Sequence, residues 1–224
     1  LREFLDLLKR EGELHEVSAE VDPELEITEI YDRVVKEEGP ALLFRRVKGS
    51  EIPLAINLFG SRKRMNLVLG SDGVEETAQK IRDFLDAKPP ESFLEKLAFL
   101  PKLKQLDALN PKIVSSGACQ EIVREEGPML DLLPAQKCWP KDGGKFITFP
   151  LVITRDPETG KRNVGLYRMH VYDNRTTGMH WQIHKDGAEH YRRLKQKGER
   201  LEVACVLGAD PLLLFSAACP LPYG

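Results

Sequence analysis

The pattern of apolar and polar positions divides the chain into a first part of helices and short strands and a second part dominated by strands. At the front, apolar residues recur at helical spacing up to Gly12, which predicts a first helix. An extended segment from Leu14 to Val21 comes next. Asp22 and Pro23 then have the character of an N-cap and a first helical residue, so a second helix is predicted to run until Pro40.

The middle of the first part alternates between strand and helix signals. Two apolar runs, Ala41 to Val47 and Ile52 to Phe59, are joined by polar residues as in a β-hairpin. Ser61 is predicted to cap a short helix, and the basic run from Arg62 to Arg64 is interpreted as its solvated start. Further helices are predicted from Val74 to Ala87 and from Glu91 towards Leu109. This part therefore has the pattern of a mixed α/β domain.

After residue 110 the pattern changes to apolar runs bounded by turn-forming residues. The predicted strands are Lys112 to Ser115, Phe146 to Thr154, Asn163 to Tyr172 and Gly178 to Ile183. Short polar connections join the last three, so they are expected to be consecutive antiparallel strands. The remaining elements are a helix from Lys185 to Lys197, a strand from Leu201 to Leu207 and an apolar helix from Asp210 to about Ala218. The predicted domains are residues 1–110 and 111–224.

Composition places the chain among ordinary soluble globular proteins. Of its 224 residues, 42% are apolar and 30% are charged, which is enough for a sizeable core. Lysine and arginine number 33 against 35 acidic residues, so no nucleic acid or anionic membrane partner is expected. The apolar runs are too short for a membrane span. Four widely spaced cysteines without a CxxC pair predict reduced, structural thiols and a cytoplasmic location.

The segment from Asn163 to Gly187 is the richest in groups that can bind a cofactor. His180 and His184 are predicted to share one face of a strand, where two imidazoles can hold a metal ion. Spacing alone favours a polar, solvent-facing surface over a metal site. Asn163 could complete a mixed nitrogen and oxygen ligand set suited to manganese or magnesium. Asp186 and Glu189 are expected to be turned away from this face by their helix.

Arg168 lies in the middle of a predicted strand, where an unpaired guanidinium is costly. A structural salt bridge and a bidentate contact with a substrate carboxylate are equally compatible with the local pattern. Asn163 and Arg168 are five residues apart, so a regular strand would point them to opposite faces. A bulge at Gly165 is predicted to bring them to one site.

Two stretches of small residues permit close approach of a ligand to the backbone. They are Gly143-Gly144-Lys145 and the helix end from Ser216 to Pro220. A flexible turn explains the first better than a phosphate site does, and a packed helix end explains the second equally well.

Several segments together resemble the UbiD-type decarboxylases, the family of 3-polyprenyl-4-hydroxybenzoate decarboxylase and ferulic acid decarboxylase. They are LREFLDLLKREGEL, INLFGSRKRM, GGKFITFPLVITRDPETGKRNVGLYRMHV, GMHWQIHKDGAEHYR and FSAACPLPYG. The resemblance implies an α/β (α+β) fold, with an N-terminal mixed α/β domain followed by a split β-barrel flavin-binding domain. It also implies a carboxy-lyase that reversibly decarboxylates an aromatic or α,β-unsaturated acid. The cofactors implied are prenylated FMN, Mn²⁺ or Mg²⁺, and K⁺.

The resemblance assigns roles to individual residues. Arg168 matches the catalytic arginine that binds the substrate carboxylate, and Asn163 and His184 match metal ligands. Lys185 replaces His184 if the register is shifted by one. The implied cofactor site consists of Thr148, Asn163, Gly165, Leu166, Arg168, His184, Lys185, Ser216, Ala217, Ala218, Cys219 and Pro220.

The resemblance covers the N-terminal half of the family's chains. In the family, a C-terminal domain supplies a metal-binding glutamate, the proton-delivering acids and oligomer contacts, and a flavin prenyltransferase supplies the cofactor. The chain is therefore expected to have little or no activity alone and to form a homo-oligomer when complete. Two other interpretations are a non-catalytic flavin- or phosphate-binding subunit and a flavin reductase-like module.

Overall fold

The computed structural model of the chain describes residues 1–70, 73–86, 112–127 and 129–219. The helices are α1 (Arg2–Arg10), α2 (Glu26–Lys36), α3 (Arg62–Leu69), α4 (Gly73–Leu85), α5 (Asp186–Gln196) and α6 (Pro211–Ala218), with 3₁₀ turns at Ala118–Gln120 and Leu130–Leu132. The strands are β1 (Leu14–Val21), β2 (Ala41–Val47), β3 (Leu54–Ile56), β4 (Lys145–Ile147), β5 (Leu151–Arg155), β6 (Arg162–Leu166), β7 (Met169–Val171), β8 (Thr177–Met179) and β9 (Ala204–Val206).

Contacts divide the chain into two compact units, Leu1–Ser71 with Pro128–Gly224, and Asp72–Gly127. The boundary predicted near residue 110 and the helix predicted from residue 91 lie outside the described residues. Among the described residues of the first unit are three three-stranded sheets, ordered β1-β2-β3, β4-β7-β8 and β6-β5-β9. They confirm a mixed α/β fold, and no closed barrel occurs in the part that the structure describes.

Several local predictions are confirmed by the structure. β1 has the predicted bounds and pairs in parallel with β2, which forms an antiparallel hairpin with β3. The Ser61 hydroxyl accepts a hydrogen bond from the Arg64 amide at 3.1 Å and caps α3. The Asp210 carboxylate accepts one from the Leu212 amide at 2.9 Å and caps α6. Side-chain capping satisfies amides that have no partner within the first helical turn.

The predicted cap of α2 is wrong. The Leu25 amide donates to the Lys137 carbonyl at 2.9 Å, and Leu25 itself is the N-cap residue, with φ of 70°. The Asp22 carboxylate accepts from the Glu24 amide at 2.9 Å instead of capping the helix. Because the backbone beside Glu24 bridges to Lys137, the chain enters the helix only at Glu26.

The two long strands of the second part are each broken into two. The run predicted from Phe146 divides at Pro150, a buried residue without an amide hydrogen, into β4 and β5 of different sheets. The run from Asn163 divides after Leu166 into β6 and β7. No bulge occurs at Gly165, which pairs with Val152 in regular register. The strand predicted from Lys112 to Ser115 is absent, since those residues are irregular and exposed.

Helix α6 links two apolar clusters of the core. Phe215 packs against the cluster of Phe4, Leu8, Ala41, Leu58 and Val68. Leu214 belongs to a second cluster with Leu151 and Ala209. Phe59 packs against both clusters. These contacts pack α6 against both clusters.

The basic run at the start of α3 was predicted to be solvated, and this prediction is wrong for Arg64. Arg64 is 1% exposed, and its Nη1 donates to Glu13 Oε2 at 2.9 Å. Its Nε and Nη2 have no hydrogen-bond partner among the described residues. Lys63 Nζ lies 3.2 Å from Glu13 Oε1, so this carboxylate compensates two cations, one of them buried.

Replacing Glu13 by alanine is expected to destabilise the protein by about 3 kcal/mol, because it leaves a buried guanidinium without a counter-charge. Glu24→Ala removes an exposed ion pair with Lys137 and should cost at most about 1 kcal/mol. Urea unfolding of both variants measures the difference. Equal losses of stability would show that Arg64 does not depend on Glu13.

Within the described ranges, no helix combines the length and the apolar character that crossing a membrane requires.

Candidate functional site

A cavity of about 890 Å³ is formed by β6, the β6–β7 connection, the segment before α5 and the end of α6. The residues that line it are Lys161, Arg162, Asn163, Val164, Gly165, Leu166, Tyr167, Arg168, His180, Gln182, His184, Lys185, Asp186, His190, Ser216, Ala217, Ala218 and Cys219. Its volume lies in the range of cofactor and small-molecule sites. Three segments distant in sequence therefore meet where the chain was predicted to bind a cofactor.

The turn after β6 places Asn163 and Arg168 on the same cavity. Tyr167 is 7% exposed, and its hydroxyl accepts a hydrogen bond from the Gly187 amide at 3.2 Å. A Cβ at Gly165 would lie 2.7 Å from the Tyr167 ring. Gly165 is thus required for close packing rather than for a bulge. Tyr167 is turned inward towards α5, and Arg168 lies between β6 and β7, which belong to different sheets.

Asn163 has the signature of an incomplete polar site. Its Nδ2 is buried and has no hydrogen-bond partner among the described residues. The two ends of an amide are assigned from their surroundings, so this position suits either a donor or a ligating oxygen. His184 lines the same cavity and is exposed. Asn163 and His184 can be only part of a metal site in the described ranges, where no three His, Cys, Asp or Glu residues form a metal-binding group.

His180 and His184 were predicted to share one face of a strand, and this prediction is wrong. β8 ends at Met179, and the chain from His180 onwards makes turns, with the Lys185 amide donating to the Gln182 carbonyl at 3.0 Å. His180 instead lies beside Arg168, whose Nη2 is 3.4 Å from His180 Nδ1. The structure therefore separates the two histidines into different surroundings within one cavity.

The cavity has a positive lining. Its basic residues are Lys161, Arg162, Arg168 and Lys185. Among the described residues that line it, Asp186 is the single acid, which corrects the expectation that Asp186 is turned away. Such a surface attracts phosphate and carboxylate groups.

The end of α6 contributes small residues. Ser216, Ala217, Ala218 and Cys219 line the cavity, and the Ser216 hydroxyl donates to the Leu212 carbonyl at 2.8 Å. Thr148 is exposed and is not among the lining residues. Pro220 lies outside the described residues. The predicted roles of Thr148 and Pro220 stay predictions.

Glu189 belongs to a network beside the cavity. Arg193 contacts Asp156 at 3.2 Å, Glu158 at 3.0 Å and Glu189 at 3.0 Å. Hydrogen bonds from Arg192 and Arg193 lower the pKa of Glu189. This carboxylate is held ionised by neighbouring guanidinium groups, which is a structural role.

His190 lines the cavity and was not predicted as a site residue. It is 2% exposed, and its Nδ1 lies 2.9 Å from Thr154 Oγ1. Thr154 pairs with Asn163 across β5 and β6. Burial lowers the pKa of His190 from 6.5, against the opposing charge of Asp156. The available sequence signal was the helical spacing of Gly187, His190 and Leu194, which lie on the buried face of α5.

The stability of the protein is expected to fall as the pH drops below about 6.5, because the unfolded chain then binds a proton that buried His190 resists. The slope reaches at most about 1.4 kcal/mol per pH unit. His190→Gln should flatten this slope between pH 6.5 and 5, and His15→Gln, at an exposed position, should not. Urea unfolding across this range measures both. An unchanged slope in His190→Gln would contradict the account.

Comparison with known proteins identifies two matching family profiles. Residues 112–224 match the 3-octaprenyl-4-hydroxybenzoate carboxy-lyase Rift-related domain, and residues 5–85 match the N-terminal domain of the same carboxy-lyase. A protein of Archaeoglobus fulgidus is 49% identical over 225 residues, which are 100% of this chain and 46% of that protein.

Solved structures show the same similarity. The UbiD-class enzyme HmfF from Pelotomaculum thermopropionicum, in complex with prFMN, matches with a TM-score of 0.76 and 27% identity over 94% of this chain and 44% of that one. The closed form of vanillic acid decarboxylase from Sedimentibacter hydroxybenzoicus matches with a TM-score of 0.79 and 26% identity over 99% of this chain and 45% of that one. The chain thus spans less than half the length of these relatives.

Proposed function

Because the chain belongs to the UbiD family of 3-octaprenyl-4-hydroxybenzoate carboxy-lyases, we propose that its cavity is the cofactor side of a decarboxylase active site. The substrate is an aromatic or α,β-unsaturated carboxylic acid, and the cofactor is prenylated FMN with Mn²⁺ or Mg²⁺ and K⁺. The observation that carries this proposal is the meeting of Asn163, Arg168, His184 and Ser216 in one positively lined cavity.

The residues of the cavity suit the cofactor. An amide with an unpartnered buried atom at Asn163 and the imidazole of His184 are acceptable ligands for a divalent ion that neutralises a phosphate. The small residues from Ser216 to Cys219 allow close approach of a flat ring system. When bound, prenylated FMN supplies the electron sink for decarboxylation.

Arg168 binds and orients the substrate in this proposal. Its guanidinium forms no ion pair with a carboxylate among the described residues, so it is available to a substrate carboxylate through two parallel hydrogen bonds. Asp186 is the one acid on the described lining. We therefore assign the third metal ligand and proton delivery to a segment equivalent to the part of the relatives that this chain does not span. We assign the split β-barrel arrangement and the homo-oligomer to the assembly of this chain with that segment.

The proposal is tested by CO₂ release from benzoate, cinnamate and furoate analogues, with prenylated FMN and Mn²⁺ supplied. The 224-residue chain alone is expected to show little or no turnover, and activity should appear when a segment equivalent to the part of the relatives that this chain does not span is added in trans or fused. If none of the tested acids releases CO₂ with the complemented protein, the proposed decarboxylase activity is refuted. Oxidation of NAD(P)H with bound flavin would instead support a reductase.

A further inference from the structure

Arg168 is exposed, yet its guanidinium is held from two sides. The Cζ of Arg168 lies 4.7 Å from the centre of the Phe146 ring. Its Nη2 lies 3.4 Å from Nδ1 of His180, where arginine is the donor and the imidazole nitrogen the acceptor. An exposed arginine without such contacts would sample many rotamers.

The sheet β4-β7-β8 explains why these two groups meet Arg168. β7 is the central strand, and Arg168 immediately precedes it. On one side, Phe146 of β4 lies opposite His170 of β7, two residues from Arg168. On the other side, the His180 amide donates to the Arg168 carbonyl at 2.9 Å. Phe146 and His180 therefore flank Arg168 by strand register and not by chance contact.

The Phe146 ring is itself supported from behind. The His170 ring stacks on it at 4.4 Å with an interplanar angle of 22°, and Tyr172 lies 4.7 Å from His170. A Cβ at Gly144 would lie 2.7 Å from Nε2 of His170. The glycine before β4 thus permits the loop to cover the stack, which gives this motif a packing function.

The chemistry of the two flanking groups differs from that of a salt bridge. An aromatic face and a neutral imidazole nitrogen both attract a guanidinium. Neither carries a negative charge, so neither neutralises Arg168 or competes with an incoming anion. A carboxylate in either place would do both.

We propose that Phe146 and His180 are positioning residues that hold the Arg168 guanidinium ready for the carboxylate of the substrate. This inference rests on the proposed function, because it takes Arg168 as the carboxylate site. Pre-ordering the side chain lowers the cost of binding. Loss of either flank should weaken carboxylate binding without changing the charge of the cavity.

The test is an NMR titration of the chain with benzoate at pH 8, observed at the methyl signals of Leu166 and Met169, which every variant keeps, and at the Cδ–Hδ signals of Arg168 where it is present. Phe146→Leu and His180→Leu should each weaken benzoate binding about 2- to 5-fold, the effect of one exposed cation contact. Phe146→Leu should also remove the ring-current shift of the Arg168 signal. Phe146→Tyr and His180→Gln, which keep an aromatic face and an acceptor, should restore binding.

Matched controls are Tyr191→Leu, an exposed aromatic on α5 whose ring faces Lys195, and His15→Leu on β1. Both should bind benzoate like the wild type. His180 is exposed, so His180→Leu is a structurally mild change. If His180→Leu binds benzoate like the wild type while Arg168→Ala does not bind it, the positioning role alone is overturned. No binding by the wild type, or equal binding by Arg168→Ala, would instead overturn the proposed function.

Discussion

Replacing Arg168 by alanine is expected to lower kcat/KM for decarboxylation in the complemented enzyme by about 10²- to 10³-fold, while prenylated FMN stays bound. The guanidinium lines the cavity without a carboxylate partner among the described residues, and truncating one member of a hydrogen-bonded charge pair costs roughly 2–5 kcal/mol. Arg168→Lys keeps the positive charge but loses the planar guanidinium that donates two parallel hydrogen bonds, so an intermediate loss of kcat/KM is expected. Steady-state CO₂ release with flavin absorbance on the same samples measures both effects.

Arg155→Ala is the matched control for Arg168. Arg155 is exposed at the end of β5 and donates to the Gly160 carbonyl at 3.2 Å, away from the cavity lining. This variant should retain wild-type activity. Loss of flavin from Arg168→Ala would place the arginine in cofactor binding, and full activity would remove it from the mechanism.

Replacing His184 by alanine is expected to release metal and cofactor together. Its imidazole and the Asn163 amide line one cavity. Removing a residue that supports a metal ligand lowers metal affinity about 10- to 100-fold, and removing a ligand itself lowers it by at least about as much. Metal content by mass spectrometry and flavin content by absorbance should therefore fall in parallel. Asn163→Ala should behave in the same way.

His180→Ala is the control for the metal site, since His180 contacts Arg168. It should retain both metal and flavin. If His184→Ala retains the metal while Lys185→Ala loses it, the ligand register is shifted by one residue. If neither variant loses metal, this segment does not bind it.

Sequence predicts best where one residue type satisfies a local backbone requirement. Ser61 was predicted as a helix cap and Asp210 as the start of a helix, and both accept amide hydrogen bonds from the first turn. The cap at Asp22 failed because Lys137, distant in sequence, bonds to the same segment. A long-range backbone pair overrode a local preference, which composition and spacing do not reveal.

The strand breaks depended on partners that periodicity does not identify. An apolar run does not show that Phe146 and Leu151 belong to different sheets. Gly165 was predicted as a bulge, whereas it makes room for the Tyr167 ring. Alternation of His180 and His184 required a strand that ends at Met179. The roles of single residues in the cavity came from resemblance, since local spacing favoured a polar surface.

The buried charges were the least predictable features. Arg64 follows a helix cap in a basic run, which is typical of a solvated face, yet it is 1% exposed. Its burial depends on Glu13, about fifty residues away. Similarly, His190 becomes part of the cavity wall because Thr154 lies beneath it. Pairings of this kind become visible only when the elements are assembled.

The central claim is that this chain carries the prenylated FMN site of a UbiD-family decarboxylase. The most direct measurement is the mass and visible absorbance of the cofactor retained by the chain after co-expression with a flavin prenyltransferase and purification with Mn²⁺. We expect the mass of prenylated FMN in the wild type and its loss in Asn163→Ala. Absence of any flavin from the wild type, or equal retention by both proteins, would contradict the account.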